Sequence, residues 1–225
     1  SLGLSAEFRL IRYRSARMNP ASLSADPEPI PTPDAALPET PDMAALLAHG
    51  EQVARLADRL FAVLASLHGL DEVWGRRLHE AARLHDIGLA EGRRGHHKAG
   101  MRLIISDLNL DLLPEDRPLI ALLARYHRRA MPTKRHRRFA ALSRHDRRAV
   151  RRCAALLRVA DGLDYTHTGL IDDVDAHVGK HTVRLHCLCG APAVDAAPEL
   201  GRALKKGELF RYVFKRDLEL TCLPL

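Results

Sequence analysis

Aromatic residues are scarce in this chain: Phe, Trp and Tyr make up only 4% of its 225 residues. A core must therefore come from aliphatic side chains, and with 46% of the chain hydrophobic there is enough apolar material for one. Leu, Ala and Arg are abundant, and these are good helix formers, so helices are expected to dominate. Cysteine is limited to Cys153, Cys187, Cys189 and Cys222. They form neither a CxxC pair nor a second pair nearby, so they are expected to be small buried hydrophobes rather than a disulfide framework. No apolar run approaches the roughly 20 residues of a membrane span. The N-terminal arginines are not followed by a continuous apolar stretch, which argues against a signal peptide and for a cytoplasmic protein. A Gly-rich loop ending in Gly-Lys-Ser/Thr and a Gly-x-Ser-x-Gly elbow are both missing, which excludes P-loop and serine-hydrolase readings. Acidic residues are outnumbered, 28 against 35 Lys and Arg, giving a net charge of +7. That balance suits an anionic, phosphate-containing partner, with nucleic acid a less favoured choice.

Seven of the thirteen prolines lie between Pro20 and Pro41. Residues 1–41 therefore read as a Pro-rich, flexible segment, with Leu10-Ile11-Arg12-Tyr13 as a short docked piece within it and Met18 as a candidate natural start. Residues 42–165 read as a helical domain, and residues 166–225 as a small α+β subdomain. A first helix is expected over 41–68, with Leu46, Val53, Leu56, Leu60, Leu64 and Leu67 on one stripe. Further helices are expected over 73–87, from 96 through 105, from 113 through 127 with Pro114 in its first turn, and from Ser143, a good N-cap, through 161. Near the end the period changes. Val183, Leu185, Cys187 and Cys189 alternate as a strand would, with 174–178 as hairpin partner across Gly179-Lys180. A helix over 198–214 and a strand over 218–222 complete the pattern.

Polar residues on apolar stripes carry the chemistry. His49, His85, His127 and Asp161 each stand where the i, i+3/i+4 series calls for Leu. Asp86 adjoins His85, and His96-His97 open their helix. Burying such groups is costly unless they are paired or bound to metal. Imidazole with carboxylate suits Mn, Fe, Zn, Co or Ni. A single ion held by His49, His85, Asp86 and Asp161 is one solution. The other is two ions about 3.5–4 Å apart sharing a bridging hydroxide; His96 and His127 decide between them.

The runs Leu84-His85-Asp86-Ile87-Gly88, Gly95-His96-His97-Lys98, Ala124-Arg125-Tyr126-His127-Arg128 and Arg158-Val159-Ala160-Asp161-Gly162-Leu163-Asp164 carry a resemblance. In that order they resemble the HD phosphohydrolase superfamily. More closely, they are similar to the C-terminal HD region of the exopolyphosphatase/guanosine pentaphosphate phosphatase family, from about His49 onward. The resemblance implies a mainly α HD-domain helical bundle with a small C-terminal α+β appendage. It implies a metal set of His49, His85, Asp86, His96, His127 and Asp161 around two divalent transition-metal ions, with Asp86 bridging. His96 is preferred over His97 because it stands four residues before Gly100. His97 is then a residue for substrate or for supporting a ligand. Asp164 orients a ligand or water, or caps its helix; Asp86, His97 and Asp164 form the expected catalytic set. Lys98, Arg128 and Arg158 are the expected substrate-binding cations.

Two departures matter. The family pattern His-His-Lys-His is here His96-His97-Lys98-Ala99. The family's large N-terminal catalytic domain is not found in this sequence, so the HD site itself is expected to carry the reaction. The implied activity is metal-dependent hydrolysis of a phosphate ester or anhydride (nucleotide, polyphosphate or guanosine alarmone) by metal-bound hydroxide. The alternative is a non-catalytic module that binds polyphosphate, nucleotide or RNA. Homodimerisation is compatible with either. His136, His145, His167, His177, His181 and His186 are expected at the surface or in strands.

Overall fold

Residues 42–190 and 195–224 are described by the structure, a computed structural model. The Pro-rich segment 1–41 and its candidate docked piece lie outside the described residues. Asp42 caps α1 (Met43–Val63) by accepting from the Ala44 N–H at 2.9 Å. The expected stripe is buried at Val53, Leu56, Leu60 and Leu64, and His49 is buried with it. The helix breaks at Leu64, and a short α2 (Ala65–His68) ends on Gly69 in the left-handed region.

Helix α3 (Glu72–Arg83) is capped by Asp71 and stops two residues before His85, earlier than its periodicity suggests. Leu84-His85-Asp86 form a turn that leads into a 3-10 helix, Ile87–Glu91. α4 (His96–Ser106) follows, and α5 (Arg117–Arg125) has its proline in the first turn at Pro118 rather than Pro114. α5 also ends two residues before His127. A short α6 (Arg137–Ala140), without a counterpart in the expected pattern, precedes α7 (Arg144–Leu163). Ser143 caps α7 as expected, accepting from the Asp146 N–H at 3.0 Å. Helix α7 is buried along most of its length, including Val150, Cys153, Leu156, Leu157 and Val159. Each such aliphatic side chain contributes about 1.5–3 kcal/mol of burial.

The C-terminal part holds three strands, β1 (Ile171–Val178), β2 (Thr182–Cys189) and β3 (Asp217–Pro224), in the order β1-β2-β3. β1 and β2 form the expected antiparallel hairpin, while β3 runs parallel to β2 with Val183 opposite Leu218. A parallel neighbour needs a crossover. Here α8 (Ala197–Lys206) and α9 (Glu208–Phe214) supply it, two helices where the periodicity suggests one. The molecule is thus mainly helical with a small sheet near its C-terminal end.

The cysteine expectation divides. Cys153 and Cys187 are free and buried, but Cys189 and Cys222 are joined in a disulfide. Their Cα atoms stand 6.6 Å apart across the β2–β3 pair although 33 residues separate them in sequence. That proximity comes from the parallel register, which chain spacing does not encode. Among the described residues no helix is long and apolar enough to cross a membrane.

Candidate metal centre

The unusual groups converge between α1, α7 and the turns that follow α3 and α5. His49 comes from α1, Asp161 from α7 and His96 from the first residue of α4. His85 and Asp86 come from the turn after α3, and His127 from just beyond α5. Five separate helices do not therefore each supply a ligand. Three of the six groups stand on turns, where backbone freed from helical geometry can aim a side chain at a chosen point.

His49, His85 and Asp161 form one trio able to hold a metal ion, and Asp86, His96 and His127 form a second. In the first, Asp161 Oδ1 lies 3.9 Å from both His49 Nε2 and His85 Nε2. In the second, Asp86 Oδ1 lies 3.3 Å from His96 Nε2 and 3.4 Å from His127 Nε2. Asp86 Oδ2 faces back to His85 Nε2 at 3.4 Å. One carboxylate thus spans both trios.

Each imidazole is held by its other nitrogen. Nδ1 donates to Asp164 Oδ2 from His49 (2.7 Å), to the Ala82 carbonyl from His85 (2.7 Å), to the Arg93 carbonyl from His96 (3.0 Å) and to the Ala124 carbonyl from His127 (2.6 Å). Engaging Nδ1 fixes the ring and leaves Nε2 for the interior, the usual arrangement of a metal-ligating histidine. His85 Nε2 and Asp86 Oδ1 are buried without a hydrogen-bond partner. Such orphaned atoms are rare in folded proteins because each costs about 1–3 kcal/mol. A cation at each trio would remove that cost, so the donor set fits a metal by its chemistry.

The electrostatics agree. Burial alone lowers the pKa of His85, but the carboxylates of Asp86 and Asp161 outweigh it and raise it to about 9. His127 goes the other way: burial lowers its pKa to about 3, with Asp86 opposing. Asp86 and Asp161 resist the upward pull of burial and stay well below the usual carboxylate range, held there by His85 at Asp86 and by Lys206 and His85 at Asp161. Both carboxylates thus stay ionised in an interior that would otherwise reject them, each facing a cationic neighbour.

Close backbone approach sets the second trio. A Cβ on Gly88 would fall 2.0 Å from the His96 carbonyl oxygen and 2.4 Å from the Gly100 nitrogen. Only a residue without a side chain lets the 3-10 helix lie against the start of α4, which brings His96 to Asp86.

The remaining expected residues separate. Asp164 is buried, with Oδ2 on His49 and Oδ1 accepting from the Gly169 N–H at 2.9 Å, so it orients a histidine and ties down the following loop. His97 is half-buried beside His96, and burial, then Arg125, lowers its pKa to about 4. Lys98 is exposed on α4. Arg128 Nη1 lies 3.4 Å from His96 Nε2, at the edge of the second trio. Arg158, expected at the substrate, is buried: its Nε donates to the Tyr126 carbonyl and its Nη2 to the Ala130 carbonyl, both at 2.8 Å. Those carbonyls flank His127. Arg158 is therefore a strut for the His127 turn, with its donors spent on backbone.

Two neighbours of the site carry no signal in chain spacing. His167, exposed, stacks on His49 with ring centroids 3.7 Å apart and planes 10° from parallel, its backbone in the left-handed region at φ 57°. Lys206, from the end of α8, pairs with Asp161 Oδ2. Both reach the site only through folding of the segment after Asp164.

No curated protein matches the chain. The family model described as Ppx/GppA phosphatase, domain III, matches residues 46–178. This span holds both trios, Asp164 and His167, and it covers more than half of the sequence, so the chain belongs to the Ppx/GppA phosphatase family through that domain.

Proposed function

We propose that this protein is an HD-type, metal-dependent phosphohydrolase whose centre holds two divalent transition-metal ions and acts on a phosphate ester or anhydride. The observation that carries the reading is the joint geometry of the trios. Four histidines engage their Nδ1 atoms outward and present Nε2 inward, and Asp86 offers one oxygen to each trio. Membership of a phosphatase family supports a phosphate-containing substrate.

His49, His85 and Asp161 would hold one ion, and Asp86, His96 and His127 the other, with Asp86 shared. When bound, such ions supply Lewis acidity toward a phosphoryl oxygen and lower the pKa of bound water. The chain's own part is positioning. Asp164 and the Ala82, Arg93 and Ala124 carbonyls hold the imidazoles at one tautomer. Asp86, kept ionised, presents a carboxylate to both sides. Arg128 stands at the rim, where a guanidinium can pair with phosphate oxygens. Lys98 and His97 flank the same rim on α4. A nucleotide, polyphosphate or guanosine alarmone would each satisfy this arrangement.

The test is elemental analysis of purified protein beside a phosphate-release screen over those substrates. Wild-type protein should contain transition metal and release phosphate, and His85→Ala and Asp86→Ala should lose both. Full phosphate release from a metal-free His85→Ala protein sinks the reading. Phosphoanion binding without turnover, surviving loss of His85, would favour the non-catalytic module instead.

A further inference from the structure

Charge is unevenly spread along this chain. Residues 128–152 hold eleven of the 35 Lys and Arg but one of the 28 Asp and Glu, Asp146. The rest of the chain, with 24 cations against 27 acids, is net negative. The excess of +7 therefore comes from one stretch, which runs from the loop after α5 through α6 into the first half of α7.

Folding gives these cations different tasks. Arg147 and Arg151 are half-buried and spent on backbone. Arg147 Nη1 donates to the Ala140 carbonyl at 3.1 Å and to the Leu142 carbonyl, and Arg151 Nε donates to the Pro132 carbonyl at 3.3 Å. The Arg151 guanidinium also lies over the buried Phe139 ring, 4.8 Å from its centroid. The Tyr126 hydroxyl and His136 Nδ1 share a further hydrogen bond of 2.8 Å. Residues 132–142 are thus fastened to α7 and to the end of α5. Lys134, Arg135, Arg137, Arg138, Arg144 and Arg148 are exposed on this fastened stretch. Among the described residues no carboxylate lies within ion-pair distance of any of the six. Asp146, the one acid nearby, is taken up by the Ser143 hydroxyl at 2.7 Å and by His145.

This arrangement works against the stability of the protein alone. Arg144 is the first residue of α7, where the helix dipole is positive and disfavours a cation. Arg148 stands four residues on, so two like charges share one helix face. An external anion relieves both effects. We propose that the six exposed cations form a docking face for the phosphate backbone of double-stranded nucleic acid, bound without regard to sequence. Five of the six are arginines, whose forked donors match phosphate oxygens. No large apolar side chain of the stretch is exposed, so the face lacks the apolar anchors of a protein interface. Its aromatic rings, Tyr126 and Phe139, are buried, so it offers no platform on which unpaired bases could stack. A duplex needs neither, because its regular row of phosphates supplies the contacts. The metal ligands lie outside the stretch, and the proposal is independent of the phosphohydrolase reading.

The test is fluorescence anisotropy of a labelled, mixed-sequence DNA duplex titrated with the full chain over a series of salt concentrations. The logarithm of affinity should fall against that of salt with a slope of about −4 to −5, as for about five phosphate contacts. The pairs Lys134→Gln with Arg135→Gln and Arg138→Gln with Arg144→Gln should each weaken binding at least about tenfold and flatten the slope by about two. Lys180→Gln with Lys205→Gln removes the same charge from exposed positions elsewhere and should leave affinity within about twofold. Arg144→Gln alone should raise the melting temperature of the free protein while weakening the complex, because it relieves the helix dipole. Asp86→Ala should bind the duplex as wild type does, whether or not the metal centre is active. Duplex affinity unchanged in both pairs overturns the proposal, as does equal weakening by the Lys180 and Lys205 control. Tighter binding of a single strand of equal phosphate count also overturns it. Retention of anionic phospholipid vesicles or inorganic polyphosphate by this face, with the duplex unbound, would assign it to another partner and overturn it as well. If one pair fails to fold, the other decides.

Discussion

Gly88→Ala should disable the second trio while sparing the first. The added Cβ would lie 2.0 Å from the His96 carbonyl oxygen, whereas real Cβ contacts essentially never fall under 3.0 Å. The 3-10 helix and α4 must therefore separate by about 1 Å, and both opposing atoms are backbone, so no rotamer change absorbs the movement. His96 Nε2 now stands 3.3 Å from Asp86 Oδ1. A metal site tolerates errors of only about 0.2 Å in ligand distance, a fifth of that displacement. His49, His85 and Asp161 lie on elements that the clash does not touch directly. Metal per protein should fall to about half of the wild-type value by elemental analysis, with the residual ion bound at near wild-type affinity. The overpacking itself should cost about 1–3 kcal/mol, visible as a lowered melting temperature with an unchanged helical circular dichroism spectrum. Wild-type metal content and wild-type stability in Gly88→Ala would refute the argument that this contact sets the second trio.

Other outcomes follow from named contacts. Asp164→Asn should weaken metal binding about 10–100-fold with little change in fold, because the amide no longer favours the His49 Nδ1–H tautomer; competition with a chelator measures it. Arg158→Met should destabilise the protein by about 3 kcal/mol in denaturant unfolding, since two carbonyls lose their donors, whereas Arg128→Gln should leave stability alone and raise KM. Metal uptake should release protons and strengthen as pH rises toward about 9, because an ion must displace the proton that metal-free His85 retains; pH titration of metal affinity, with proton release followed in weak buffer, checks this. In metal-free protein the sign is the reverse. The folded pKa of His85 is raised, so its contribution to stability is complete below the ordinary histidine value of 6.5 and is lost as pH rises through about 9. Thermal melts of the apo protein across that window should fall with pH if His85 dominates there.

Much of the fold was legible because helices announce themselves by period. The α1 stripe, the Ser143 cap of α7 and the β1–β2 hairpin depend on neighbours within a few residues, and all three are where the pattern puts them. Helix ends were less so. α3 and α5 both stop two residues short of their histidines although apolar spacing runs on, because tertiary contact and the aim of the side chain set those ends. The Cys189–Cys222 bond and the split of the last helix at Gly207 belong to the same class, for both follow from the way β3 returns beside β2.

The sequence by itself determined which side chains are anomalous. A histidine or aspartate at a leucine position is a local fact, and His49, His85, His127 and Asp161 need no coordinates to stand out. Only tertiary structure decided how they divide. The assignment of Asp86 to both trios depends on the turn after α3. The use of Arg158 as a backbone strut depends on the carbonyls of Tyr126 and Ala130. The arrival of Lys206 at Asp161, 45 residues away, depends on Gly162 letting α8 close on α7. Periodicity describes one element against its own axis. Chemistry at a site depends on distances between elements, and packing alone sets those.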